Sequence, residues 1–231
     1  MRKMNYNPFQ WTFKSEQTTN EFNEHVEKSV PFYKEIHKIV KIIGGFFVED
    51  DTNVYDIGSS TGNLLKGMSN ILKRNANYIG IDNSIYMNQV AMNDADNDNI
   101  KILSEDVQDF KFTNASYITS ILTLQFINIE DREKILKNVY QGLNKGGAFI
   151  LVEKVNGEFV QSHEIMNQIY HDFKLENGLT YEEVIKKSQS IRGVLKPLTL
   201  EQNKRMLEEA GFKDIDTWFK WNNFVGIIAV K

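Results

Sequence analysis

From Asn53 onward, short runs of β-branched and apolar residues alternate with longer stretches whose apolar positions recur every three or four residues. That alternation winds helices around a mostly parallel sheet, because such strands are buried on both faces and such helices on one. The short runs predict strands at 53–57, 77–82, 99–103, 116–122 and 148–154. Between the first two, Leu64, Leu65, Met68, Ile71 and Leu72 share a helical face, so 61–73 is expected to lie as a helix on the sheet. A helix from 84 to 93 is expected after the second strand. Ile135, Leu136, Val139, Tyr140 and Leu143 repeat the helical spacing, with Glu130 and Asp131 at the end that favours negative charge and Gly146-Gly147 just beyond.

Thr199 and Gln202, ahead of Met206, Leu207 and Ala210, form an expected capping box, and Gly211 is suited to the left-handed turn that ends a helix. Residues 212–221 and 224–231, joined by Asn222-Asn223, read as an antiparallel hairpin. The expected fold is therefore α/β and Rossmann-like: a seven-stranded, mostly parallel sheet with an antiparallel last strand, the class I methyltransferase arrangement. Two segments stand outside it. Residues 1–50 carry Phe9, Trp11 and Phe13 and then two expected helices around Ser29-Val30-Pro31; residues 155–197 are too long for a loop and read as helical near 160–176 and 180–190. We expect one domain over 1–231, with 1–50 as an N-terminal helical cap and 155–197 as an inserted helical lid near the strand ends, where open α/β folds bind ligands.

Composition narrows the function. At 231 residues, 41% hydrophobic and 25% charged, the chain can bury one sizeable core. A net charge of −4 supplies no overall basic field, so direct nucleic-acid binding is not expected. With no cysteine, disulfides, thiolate-held zinc and thiol nucleophiles are excluded. The start lacks the apolar core of a secretory signal, and the apolar stretch 39–48 is shorter than the roughly 20 residues of a membrane span and contains Lys41. A cytoplasmic location without membrane contact is the expectation. Asp94, Asp96 and Asp98 count like a calcium loop ending at Glu105, but Asn99 stands where that loop needs glycine and Lys101 where it needs an apolar residue. The four histidines show no ligand spacing, and no metal is expected.

Candidate chemistry begins at Tyr55-Asp56-Ile57-Gly58-Ser59-Ser60-Thr61-Gly62-Asn63. A glycine leaving a strand lets backbone approach a ligand, and the following helix aims its free N–H groups at the same place. A dinucleotide loop would have further glycines where this chain has Ser60 and Asn63. Asp56 at the strand end suits a cationic amino acid moiety better than a pyrophosphate, which points to S-adenosylmethionine. Asp82, with Asn83, can accept hydrogen bonds from ribose hydroxyls, and Asp106 can take an adenine amino group while Val107 covers the ring. Leu122-Thr123-Leu124-Gln125-Phe126 lacks the tetrad of amino-directed DNA methyltransferases. No general base stands out, so no catalytic residue is named; a sulfonium cofactor supplies its own electrophile and needs mainly alignment.

Taken together, the motifs WTF at 11–13, SVPFY at 29–33, YDIGSS at 55–60, GIDNS at 80–84, TLQF at 123–126, YQGLNKGGA at 140–148, HDFK and ENG within 171–178 and the closing WFKWNNF go beyond a generic fold. The chain resembles the carboxy-S-adenosylmethionine synthase family, which has a class I methyltransferase fold and acts in the wobble-uridine 5-oxyacetic acid pathway of tRNA. The resemblance implies cofactor contacts at Tyr33, Gly58, Ser60, Asp82, Asn83, Asp106 and Val107; Asp56, Ser59 and Gly62 complete the expected set. Two family features differ. Ile121 stands where the family has asparagine, and Ser188 where it has an arginine that pairs with the cofactor's added carboxylate. Lys186, Lys187 or Arg192 could reach in its place, Arg192 best of all because it lies one helical turn beyond Ser188. Trp11, Ser188 and Arg192 are the expected residues of the substrate or cofactor-carboxylate pocket.

The leading expectation is an S-adenosylmethionine-dependent transferase, a methyltransferase acting on a small molecule or modified nucleoside. The first alternative is synthesis of carboxy-S-adenosylmethionine from S-adenosylmethionine and prephenate; the second is a non-catalytic S-adenosylmethionine-binding subunit that activates a partner. Expected partners are a small-molecule substrate and, as an open alternative to the monomer, a second copy in a homodimer.

Overall fold

The computed structural model describes residues 16–93 and 99–231. Helices α1 (Glu16–Ser29) and α2 (Tyr33–Phe47) precede the sheet. They are separated at Pro31 and at Phe32, whose backbone is left-handed (φ 56). The strands are β1 (Asn53–Ile57), β2 (Asn77–Ile81), β3 (Ile100–Leu103), β4 (Ala115–Ile121), β5 (Leu143–Lys154), β6 (Asp214–Trp221) and β7 (Phe224–Val230), in the order β3-β2-β1-β4-β5-β7-β6. β1 pairs parallel with both β2 and β4, whereas β7 runs antiparallel to β5 and β6. The connectivity changes direction between β1 and β4, which opens a crevice at their C-terminal ends.

The remaining helices are α3 (Asn63–Leu72), α4 (Ile85–Asn93), α5 (Ile129–Gly142), α6 (Val160–Glu176), α7 (Tyr181–Ser190) and α8 (Leu200–Ala210). Two apolar layers follow from strand alternation. Tyr55 and Ile57 of β1 face Ile135, Leu136 and Val139 of α5 and Leu207 of α8. Val54 turns to the other face and joins Ile36 and Val40 of α2 and Leu64, Leu65 and Met68 of α3.

The expected cap forms: Gln202 N–H donates to Thr199 Oγ1 (3.2 Å), Thr199 N–H to Gln202 Oε1 (2.9 Å), and Gly211 follows with φ 120. Three boundaries differ from the expectation. The helix after the glycine loop begins at Asn63 and not at 61, because Gly62 is left-handed (φ 75). α5 ends at Gly142, where a Cβ would stand 2.6 Å from the Phe112 carbonyl, and Leu143 already pairs with Ala115 as the start of β5. β6 begins at Asp214, since Phe212 is a core residue. Trp11, Phe9, Phe13, Asp94, Asp96 and Asp98 lie outside the described residues. Among the described residues no acidic or histidine cluster could hold a metal ion, and no helix is long and apolar enough to cross a membrane.

Candidate cofactor and substrate site

β1 delivers Asp56 to the crevice fully buried, its Oδ1 accepting from Thr119 Oγ1 of β4 at 2.7 Å. Burial pushes its carboxyl up to about 7; the Thr119 hydrogen bond opposes that rise and the neighbouring Asp82 charge adds to it. Gly58 follows with φ 72, and a Cβ there would stand 2.9 Å from Thr123 Cβ and closer still to its Oγ1 and Cγ2. Only glycine fits, and its surface stays open to a ligand.

Ser60, where a dinucleotide loop has glycine, is also left-handed (φ 50). Its N–H donates to Asp82 Oδ2 at 2.9 Å, while Asp82 Oδ1 accepts from Ser84 N–H at 2.8 Å. Ser59 Oγ is buried with no hydrogen-bond partner among the described residues. α1 reaches the same loop, since Asn23 Oδ1 accepts from Thr61 Oγ1 (3.3 Å) and Asn63 Nδ2 (3.1 Å). After β3, Asp106 Oδ1 accepts from Gln108 N–H at 3.0 Å, Asn83 Nδ2 lies 3.5 Å from its Oδ2, and Val107 is buried beside it.

Nine of the ten expected cofactor-contact residues line one cavity of about 540 Å³, within the roughly 300–1,000 Å³ of small-molecule sites; Gly62 is the one that does not. Tyr33 packs against His37, ring centres 4.2 Å apart. Burial, with the charges of Asp56 and then Glu27, pushes the Tyr33 phenol up, and burial with Lys41 lowers His37 to about 4, so both rings are neutral at pH 7. An S-adenosylmethionine molecule fits this set: a close backbone approach at Gly58, an unpartnered hydroxyl at Ser59, and carboxylates for an ammonium and for ribose hydroxyls.

The part of the lining that comes from β5, α6 and α7 is cationic. Lys154 ends β5 and Lys174 belongs to α6; their Nζ atoms lie 4.6 Å and 4.1 Å from the Tyr170 ring centre. Burial lowers both to about 8, helped for Lys174 by the charge of Lys154, and burial with Lys174 lowers Lys187 of α7 to about 7. Tyr170 Oη donates to the Ser29 carbonyl at 2.9 Å and so pins α6 to the end of α1.

Ser188 and Ile121 line this cavity, but Arg192 does not. The expectation that Arg192 would stand in for the missing arginine is corrected: α7 ends at Ser190, breaking the helical register above Ser188, and Arg192 is exposed in the following turn. Lys186 is exposed as well, paired with Glu182 at 2.6 Å. Lys154, Tyr170 and Thr123 were not anticipated from the sequence. The available signal was Glu153-Lys154, two charges closing the apolar buried run 148–152 of β5.

Fold and site define an S-adenosylmethionine-dependent transferase built on a methyltransferase domain; the family model of that description matches residues 54–147. Human N-acetylserotonin methyltransferase, solved with S-adenosylmethionine, superposes with a TM-score of 0.65 at 14% identity, over 98% of this chain and 59% of that one. Phosphoethanolamine N-methyltransferase 2 of Haemonchus contortus gives 0.67 at 15% identity, over 96% and 60%. At these identities the likeness is one of fold. Sequence relatives are more specific. The carboxy-S-adenosyl-L-methionine synthase of Staphylococcus epidermidis is 96% identical over 99% of this chain and all of that protein, and that of Methylococcus capsulatus is 37% identical over 91% and 89%. The chain belongs to the carboxy-S-adenosyl-L-methionine synthase family and is an enzyme that uses S-adenosylmethionine.

Proposed function

We propose that the protein synthesises carboxy-S-adenosylmethionine from S-adenosylmethionine and prephenate, for the modification of wobble uridine in tRNA. The observation that carries this reading is the 96% identity, end to end, with the S. epidermidis synthase. The cavity supports it, because its lining combines carboxylates at the ends of β1, β2 and β3 with lysines from β5, α6 and α7. Methyl transfer to a neutral acceptor would not need that cationic wall; a carboxylate donor does.

In this reading Asp82 takes the ribose hydroxyls, Asp106 and Val107 the adenine, and Asp56 the ammonium of the methionine moiety. S-adenosylmethionine, when bound, would supply a sulfonium-activated methyl carbon that gives up a proton and bonds to the carboxyl carbon leaving prephenate; the electron pair of the broken ring-to-carboxyl bond aromatises the ring and expels its hydroxide, which takes the proton as water and leaves phenylpyruvate. Helices α1, α2, α6 and α7 act as the lid that excludes water from that carbon and aligns the donor with it. The tRNA itself is not the partner, in keeping with the net charge of −4. The test is the nucleoside that co-purifies with the chain, identified by mass spectrometry. Carboxy-S-adenosylmethionine is expected; S-adenosylhomocysteine as the bound species would point to methyl transfer instead.

A further inference from the structure

The part of the cavity lined by β5, α6 and α7 carries more positive charge than a nucleoside can use. Three lysines reach it from three separate elements: Lys154 from the last residue of β5, Lys174 from the last turn of α6, and Lys187 from α7. Lys174 is only 6% exposed. Neither Lys154 nor Lys174 belongs to an ion pair among the described residues. Because both ammonium groups sit over the one Tyr170 ring, they are no farther apart than their two distances to it laid end to end.

The carboxylates lining the cavity are Asp56, Asp82, Glu105 and Asp106, and they stand at or beyond the ends of β1, β2 and β3. β4 separates those strands from β5, which carries Lys154. His171, also on this wall, is lowered by burial and then by Lys174 and Lys154 and is neutral at pH 7, so the lysines carry its positive charge. Burial and mutual repulsion both disfavour such a cluster, and an entering anion relieves both.

We propose that Lys154, Lys174 and Lys187 form the carboxylate site of this enzyme and bind a dicarboxylate donor through its anionic groups. They replace the arginine that the family resemblance places at position 188. Ser188 lines the same cavity, but its hydroxyl offers one neutral hydrogen bond where a guanidinium would offer a charged pair. The neighbouring Lys187 restores the charge, and Lys154 and Lys174 set the span over which two carboxylates are held. This inference rests on the proposed carboxy-S-adenosylmethionine synthesis, which names the donor.

The experiment uses full-length, S-adenosylmethionine-saturated protein, wild type and the variants Lys154→Met, Lys174→Met, Lys187→Met and the double variant Lys187→Met with Ser188→Arg. Prephenate binding is read by calorimetry, and product formation by mass spectrometry with KM and kcat separated. Each single variant should weaken prephenate binding and raise its KM by about tenfold or more. S-adenosylmethionine affinity should move less than about threefold, because the acids hold it. The Ser188→Arg change should bring the double variant back to within about threefold of wild type, a rescue that a merely structural lysine would not allow. Wild-type binding of prephenate that the variants lose, with no carboxylated product, would uphold the site and overturn the reaction. Prephenate affinity within about twofold of wild type in Lys154→Met and Lys174→Met would overturn the site even if wild type makes the product.

Discussion

Asp82, just past β2, accepts the backbone N–H of Ser60 at 2.9 Å in the loop that leaves β1. Its other oxygen accepts Ser84 N–H at 2.8 Å, ahead of α4. The carboxylate assigned to the ribose therefore also sets the shape of the glycine loop. Asp82→Ala should weaken S-adenosylmethionine binding by about 2–3 kcal/mol, with adenosine affected alongside it. Calorimetry on both ligands checks this; a loss below about threefold would place the ribose elsewhere.

Asp56 sets a pH limb on cofactor binding. Its carboxyl is held up to about 7 by burial, so below that value the free protein carries it neutral. An ammonium ligand prefers the ionised form and must displace the proton. Affinity for S-adenosylmethionine should rise about tenfold per pH unit from about 5 towards 7 and then level off. Asp56→Asn should bind more weakly and without that slope. A wild-type profile already flat between about pH 5 and 7 would contradict the assignment.

Prephenate binding should show the opposite limb. Lys154 and Lys174 are lowered to about 8 and Lys187 to about 7. The groups that share their wall are Tyr170, raised by burial, and His171, lowered and uncharged at pH 7. Lysines lose their charge as pH rises through these values, so donor affinity should fall between about pH 7 and 9, most of all in weak buffers of low ionic strength. Titration of cofactor-saturated protein checks it, and affinity that climbs over this range would be the contrary result.

How much of this was legible in the chain depends on what each feature needs. Period-two runs and helical spacing are local, so the strands and the capping box at Thr199 and Gln202 stood out before any packing was known. Asp56, Gly58, Asp82 and Asp106 were legible because a parallel sheet brings consecutive strand ends together. Lys154 and Lys174 were not, because they meet only after α6 folds back and lays Tyr170 between β5 and the end of α1. Arg192 was placed by counting one helical turn past Ser188, which runs beyond the helix expected at 180–190 and found at Tyr181–Ser190.

Gly58 offers a stability test with a built-in control. Gly58→Ala combines left-handed backbone (φ 72) with a collision on Thr123, whereas Gly146→Ala combines φ 83 with open space. The first should cost clearly more than the roughly 1 kcal/mol of backbone strain expected of the second, and should also weaken cofactor binding. Equal costs in urea melts would mean that Thr123 yields.

Beneath the site, Arg132 is fully buried and donates to the carbonyls of Ile127 (2.9 Å) and Lys196 (2.6 Å), tying α5 to the segment after α7. Glu153 is buried nearby, raised to about 8 by burial despite the opposing pull of Arg132. A folded-state value above the unfolded one means that stability falls as pH rises from about 4.5 to 8, by at most about 1.4 kcal/mol per unit. Glu153→Gln should flatten that slope, while Arg132→Met should destabilise by about 3–5 kcal/mol. Denaturant melts across pH check both, and a slope unchanged in Glu153→Gln would assign it to another group.

The most direct test of the central claim is a turnover assay. Purified protein is incubated with S-adenosylmethionine and prephenate, and the nucleoside product is identified by mass. The account predicts carboxy-S-adenosylmethionine, formed only when both are present. S-adenosylmethionine recovered unchanged, from protein shown by calorimetry to bind both molecules, would contradict it.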